Sequence, residues 1–167
     1  MEARKSGHRR NPEDGARLNG MKTKRKLLRW MNWWPPFLGM GIKVRRMSDD
    51  RREVDVEMVQ RFWNTNYVGV HFGGSLAAMT DPFYMLMLIE NLGPEYIVWD
   101  KAAAIRFRRP AKGTVRAEFR LTAEQIEEVR AAADSQAKVE PVFAVEIKDQ
   151  SGDVVAVVER TVHVKRK

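Results

Sequence analysis

Cysteine is absent from the 167 residues. Disulfide bridges, zinc–thiolate centres and a cysteine nucleophile are excluded with it, and a reducing, cytoplasmic location is the expectation. Long hydrophobic runs are also lacking. The longest, Leu76 to Leu92, is interrupted by Asp81, Pro82 and Glu90, whereas a membrane-spanning helix needs about 20 apolar residues; no transmembrane segment is expected. The N-terminal stretch is basic but has no apolar core ahead of a small-residue cleavage site, so no secretory signal is read there. Acidic residues are in the minority, 22 Asp+Glu against 30 Lys+Arg, for a net charge of +8. Such a balance favours nucleic acid, anionic lipid or a phosphorylated ligand without choosing between them. Part of it sits in Arg4, Lys5, Arg9, Arg10, Lys24, Arg25 and Lys26, ahead of any regular pattern. No nucleic-acid motif is present, and aromatics do not interleave with basic residues along a strand, so nucleic acid is not an expected partner.

What the chain does have is a core. Apolar residues make up 44% of it, enough for one packed domain of ordinary size. Residues 1–20 are polar, without period and punctuated by Gly and Pro, and read as a disordered basic leader; residues 21–167 read as a single domain. Lys22 to Trp34 suits a short helix, ended by Pro35-Pro36. Ile42 and Val44 alternate with Lys43 and Arg45, and Val54, Val56 and Met58 with Glu53, Asp55 and Glu57. This period of two marks half-buried strands, with Asp49-Asp50 as the turn between them. Phe62 to Phe72 has no period and reads as a loop. Ser75 to Asn91 is apolar on nearly every face, bounded by Gly73-Gly74 and Gly93-Pro94. A helix of that kind must be covered all round, and a curved sheet is the economical cover. Four more strands follow, around Ala103–Phe107, Thr114–Leu121, Val139–Lys148 and Val154–Val164, with a helical insert, LTAEQIEEVRAAA, between the second and third. The class is α+β: a long central helix wrapped by an antiparallel sheet.

The informative segment is Asn66 to Asp81, NYVGVHFGGSLAAMTD. A glycine pair opening a buried helix lets a ligand approach the backbone. The first amides there have no helical partner and carry the positive end of the dipole, which suits them to polarise a carbonyl and hold its oxyanion. Asp81, two turns further into apolar surroundings, is placed to act as general base on water or as nucleophile.

This segment resembles the hotdog-fold acyl-CoA thioesterases, in whose phenylacetyl-CoA-type branch N-x-x-G-x-x-H-G-G precedes the central helix and an Asp follows. Asn66, Gly69, His71, Gly73, Gly74 and Asp81 occupy similar positions, except that Phe72 separates His71 from the glycines. WWPPFLGMGIKV and NYVGVHFGGSLAAMTDP also resemble a thioesterase-like branch whose members mostly lack an assigned substrate. The resemblance covers about residues 27–165. It implies a hotdog fold, hydrolysis of an acyl-CoA or acyl-carrier-protein thioester, and a homodimer or homotetramer with sites between subunits. The candidate catalytic residues are Asp81, Gly73, Gly74, Asn66 and His71, and the candidate substrate-binding residues are Phe72, Arg106, Arg108 and Arg109. No cofactor is implied, and no His/Asp/Glu spacing suggests a metal.

Each candidate has a plainer reading. Asp81-Pro82 is a good helix cap. His71 can tie its loop to a backbone carbonyl. Asn66 and Asn64 can be turn-formers. The arginines can form a solvated outer face. A non-catalytic acyl-ligand binder on the same scaffold, and a basic protein binding nucleic acid or a membrane surface, remain as alternatives.

Overall fold

The period-two segments pair into one antiparallel sheet. The computed structural model describes residues 30–167, so the leader at 1–20 and the first part of the helix expected from Lys22 lie outside the described residues. Six strands, β1 (Ile42–Met47), β2 (Glu53–Val59), β3 (Tyr96–Phe107), β4 (Thr114–Arg120), β5 (Val142–Lys148) and β6 (Val154–Arg166), run in the order β1-β2-β4-β5-β6-β3. One face is packed. Val54, Val56 and Met58 face the core beside Phe119, Ala117 and Val115, their register partners, all at most 1% exposed. The other face is wet and carries cross-strand ion pairs such as Arg46–Asp55 and Arg116–Glu57. Pairs this exposed add little stability each, but they account for much of the basic charge on that face.

Residues 30–33 are helical, and Pro35 and Pro36 open a second helix, α1 (Pro35–Met40). The proline pair therefore does more than end a helix. Its missing donors fall in a first turn, where amides have no helical acceptor anyway. Gly41, with φ 73°, closes α1 in the left-handed region.

The central helix is present but divided. α2 (Gly73–Ala78) and α3 (Phe83–Leu92) are separated by Met79 to Pro82, with a cis Asp81–Pro82 peptide. Pro82 has no amide donor to continue the ladder. The expectation of cover on every side also needs correction: Phe83, Tyr84, Met87 and Leu88 are buried, but Ile89 is 38% exposed. β4 and β5 meet only around Arg116↔Lys148 and Ala117↔Ile147. Tyr84 fills the opening beyond, its ring between Phe119 and Phe143 and its hydroxyl donating to Ala144 O at 2.9 Å. Burial holds that phenol up at about 12. The insert forms α4 (Ala123–Ser135), opened by a Thr122/Gln125 capping box. Arg130 on α4 caps the end of α3 by donating to Asn91 O and Leu92 O.

Candidate active site

The loop before α2 is pinned by its polar side chains. Asn64 is 2% exposed; its amide donates to Met40 O and Val59 O, and its Oδ1 accepts from Arg61 N. Asn66 Oδ1 accepts from the amides of Val68 and Val70, an Asx turn. His71 is 2% exposed, and its Nε2 lies 2.9 Å from Gly113 O. A carbonyl only accepts, so Nε2 carries the proton and Nδ1 presents a lone pair, buried and without a partner among the described residues. Burial pushes the His71 pKa below its usual value, against the raising effect of the Gly113 carbonyl. The loop-tying roles are thus what the polar atoms of Asn66 and of His71 Nε2 perform.

α2 starts where this loop ends. Phe72 O accepts from Ser75 N and Leu76 N, whereas the amides of Gly73 and Gly74 have no acceptor among the described residues. A side chain at either glycine would meet an aromatic ring: Phe107 Cζ lies 3.0 Å from the Cβ position of Gly73, and the Phe72 ring folds over that of Gly74.

A cavity of about 560 Å³ opens here, lined by Asn66, His71, Gly73, Phe107, Arg108, Arg109 and Lys112, among others. Its size suits a small-molecule site. Arg109 pairs with Asp153 at 2.5 Å, while no carboxylate among the described residues pairs with Arg108 or Lys112. Four expected site residues are not among those lining it. Arg106 alternates to the outer face of β3 and pairs with Glu159 at 2.6 Å. Phe72 and Gly74 lie beside the cavity, both exposed. Asp81 sits at the far end of α2.

Asp81 occupies different surroundings from the apolar ones expected, and it does not cap α3: the capping position is Pro82, with no side-chain cap. Its side chain is 50% exposed, and Oδ2 accepts from Arg160 Nη1 at 3.2 Å. Arg160, 6% exposed, projects from the packed face of β6 and donates from Nη2 to Ala77 O (3.1 Å) and Thr80 Oγ1 (3.2 Å). Asp100 Oδ2 approaches Nη1 at 3.9 Å. Burial raises the Asp100 pKa; Arg160 opposes this and the Asp81 charge adds to it. Asp100 Oδ1 and Arg160 Nε are buried without partners among the described residues.

Neither Arg160 nor Asp100 was among the expected site residues. Arg160 had a signal, a charge within the period-two stripe of Val158, Val162 and Val164. Asp100 had none. Ala103 faces Arg160 across the β3/β6 ladder, and a register shift between Asp100 and Ala102 returns Asp100 to the same face. No group of three His, Cys, Asp or Glu side chains suitable for a metal occurs among the described residues, and no described helix is long and apolar enough to cross a membrane.

A model of one protein family matches residues 23–164. The chain belongs to the DUF4442 family, a domain of unknown function. No curated protein matches this DUF4442 chain. Among solved structures it is similar to a protein of unknown function from Pseudomonas aeruginosa, PA5026, described as a probable thioesterase; identity is 24%, coverage 96% of this chain and 100% of the other, and the TM-score 0.68. The thioesterase HI1161 of Haemophilus influenzae is 14% identical over 86% and 90% of the two chains, with a TM-score of 0.61. A putative thioesterase from Shewanella oneidensis is 16% identical over 87% and 98%, with a TM-score of 0.62. At these identities the likeness is one of fold, and it agrees with the resemblance to thioesterases drawn from Asn66 to Asp81.

Proposed function

We propose that this DUF4442 chain is a hotdog-fold thioester hydrolase that cleaves an acyl-CoA with water. The observation that carries the reading is the pair of unpartnered Gly73 and Gly74 amides beside a cavity with a basic mouth. In the proposed reaction the thioester oxygen lies against these amides. Asp81 takes a proton from water as the water oxygen bonds to the carbonyl carbon. The tetrahedral oxyanion then collapses, the C–S bond breaks, and the thiolate receives the proton. Arg108 and Lys112 are the better candidates for the phosphates of coenzyme A, since the Arg109 charge is already met by Asp153.

Within one chain Asp81 does not line the cavity that holds His71 and Gly73. A homodimer across β3 is the arrangement we propose to complete the site. β3 is an edge strand twelve residues long, with small, exposed Ala102, Ala103 and Ala104 along it. An edge of that length is an open template for pairing.

A second reading, a non-catalytic acyl-ligand binder, draws on a specific observation: the side chains of Asn66, His71 and Asp81 all hold internal partners. Free-thiol release from short, long and aryl acyl-CoAs, and from acyl-carrier protein, separates the two. Turnover abolished by Asp81→Asn supports hydrolysis. Thermal stabilisation by acyl-CoA without turnover supports the binder.

A further inference from the structure

A charged side chain buried in a valine stripe is costly unless its charge and donors are met. Arg160 has its charge and the donors of Nη1 and Nη2 met at one place, the junction of α2 and α3, with Nε left unpaired among the described residues. Nη2 is fixed to Ala77 O and Thr80 Oγ1, and Thr80 Oγ1 is itself held by donating to Ala77 O at 2.8 Å. Nη1 is left to face two carboxylates, Asp81 at 3.2 Å and Asp100 at 3.9 Å. The guanidinium is planar, so fixing one nitrogen fixes the direction in which the other points. Ala103, opposite Arg160 in the ladder, is small enough to leave room for it. Asp81 by contrast is half exposed and lies in a turn, with no side-chain partner among the described residues other than Arg160. Whatever aims its carboxylate must come from below, and Arg160 is the group that reaches it.

We infer that Arg160 is a positioning residue for hydrolysis, holding the Asp81 carboxylate at the bend from an anchor on the last turn of α2. This rests on the reading of Asp81 as the base. Arg160 acts through Asp81, to which its Nη1 donates. Asp100 shares Nη1 at 3.9 Å, so the cluster has two carboxylates for one guanidinium.

The test is a double-mutant cycle on acyl-CoA hydrolysis, with kcat and KM measured separately and folding followed by thermal melting. Arg160→Gln is expected to lower kcat at least about tenfold with KM changed by less than about twofold, and Arg160→Lys to retain more activity than Arg160→Gln. In the Asp81→Asn background, Arg160→Gln is expected to change the residual rate by less than about twofold. The inference is overturned by an equal loss in both backgrounds, which would mean that Arg160 serves the fold alone, or by a rise in KM at constant kcat. Should Arg160→Gln fail to fold, Thr80→Val loosens Nη2 with the charge retained. Its drop in kcat must vanish in the Asp81→Asn background, and persistence there counts against the inference. Absence of wild-type turnover on every thioester overturns the hydrolase reading and this inference together, an outcome distinct from an additive cycle in an active enzyme.

Discussion

The two ends of α2 solve opposite problems. At the start, two glycine amides have no acceptor among the described residues, beside a cavity lined by His71, Arg108, Arg109 and Lys112. At the end, the Ala77 carbonyl is met by a buried guanidinium that also pairs with two carboxylates. The first end is built to receive negative charge, and the second carries it. The helix is six residues long, so one short element with its dipole aligned from cation-like to anion-like end spans both. The glycine amides at the start are backbone groups, which no substitution other than proline removes. At the end the polarity comes from side chains, which are individually replaceable.

The largest effect is expected at the charged end. Asp81→Asn should lower thiol release by about 100-fold or more, the range of a lost general base, with melting temperature little changed because the side chain is half exposed. A rate within about threefold of wild type would reduce the contrast between the ends to a matter of stability. Next comes Thr80→Val, which strips a 1%-exposed hydroxyl from Arg160 and Ala77. It should cost about 1–3 kcal/mol in chemical denaturation, the range for a buried donor left unpaired.

At the open end, Arg108→Ala with Lys112→Ala should raise KM for acyl-CoA by about tenfold and leave kcat unchanged, as expected for ground-state phosphate contacts. An acyl-pantetheine without the nucleotide should not register the change, and an equal effect on it would remove the phosphate from the account. The smallest effect is a slope. His71 has its pKa lowered by burial, so its contribution to stability is present above the ordinary value of 6.5 and is lost as pH falls through the folded value. Denaturation of wild type and His71→Gln between about pH 7 and pH 5 should show the steeper acid loss in wild type. Parallel curves would mean that His71 is not held neutral.

These contrasts differ in how far the sequence exposed them. Gly73, Gly74, His71 and Asn66 could be read as one group because they are neighbours in the chain, and the cavity does bring three of them together. Arg108 and Arg109 lie at the same cavity, while Arg106, read with them, faces the opposite side: alternation would keep Arg106 and Arg108 together, but β3 ends at Phe107 and the amides of Arg108 and Arg109 both donate to Val155 O. Asp81 was legible as a candidate, but not its partner, since Arg160 lies 79 positions away in the chain. Asp100 depended on a single slipped register in β3, which no alternation of WDKAAAIRF reveals. The break in the central helix was foreshadowed by Pro82, yet a Pro also fits a first helical turn, and Pro35 and Pro36 do open α1.

By itself the sequence determined the α+β class, the six strands, the position of the helical insert and the glycine-opened start of α2. Each of these is written in local periodicity and in residues whose backbone options are few. Only the tertiary structure decided that the central helix is two, that Asp81 answers to Arg160 and Asp100, that Arg106 stands apart from Arg108, and that the cavity lies at the start of α2 and not at Asp81. Those depend on strand register and on contacts between residues distant in the chain, where one slipped position turns a side chain from solvent to core.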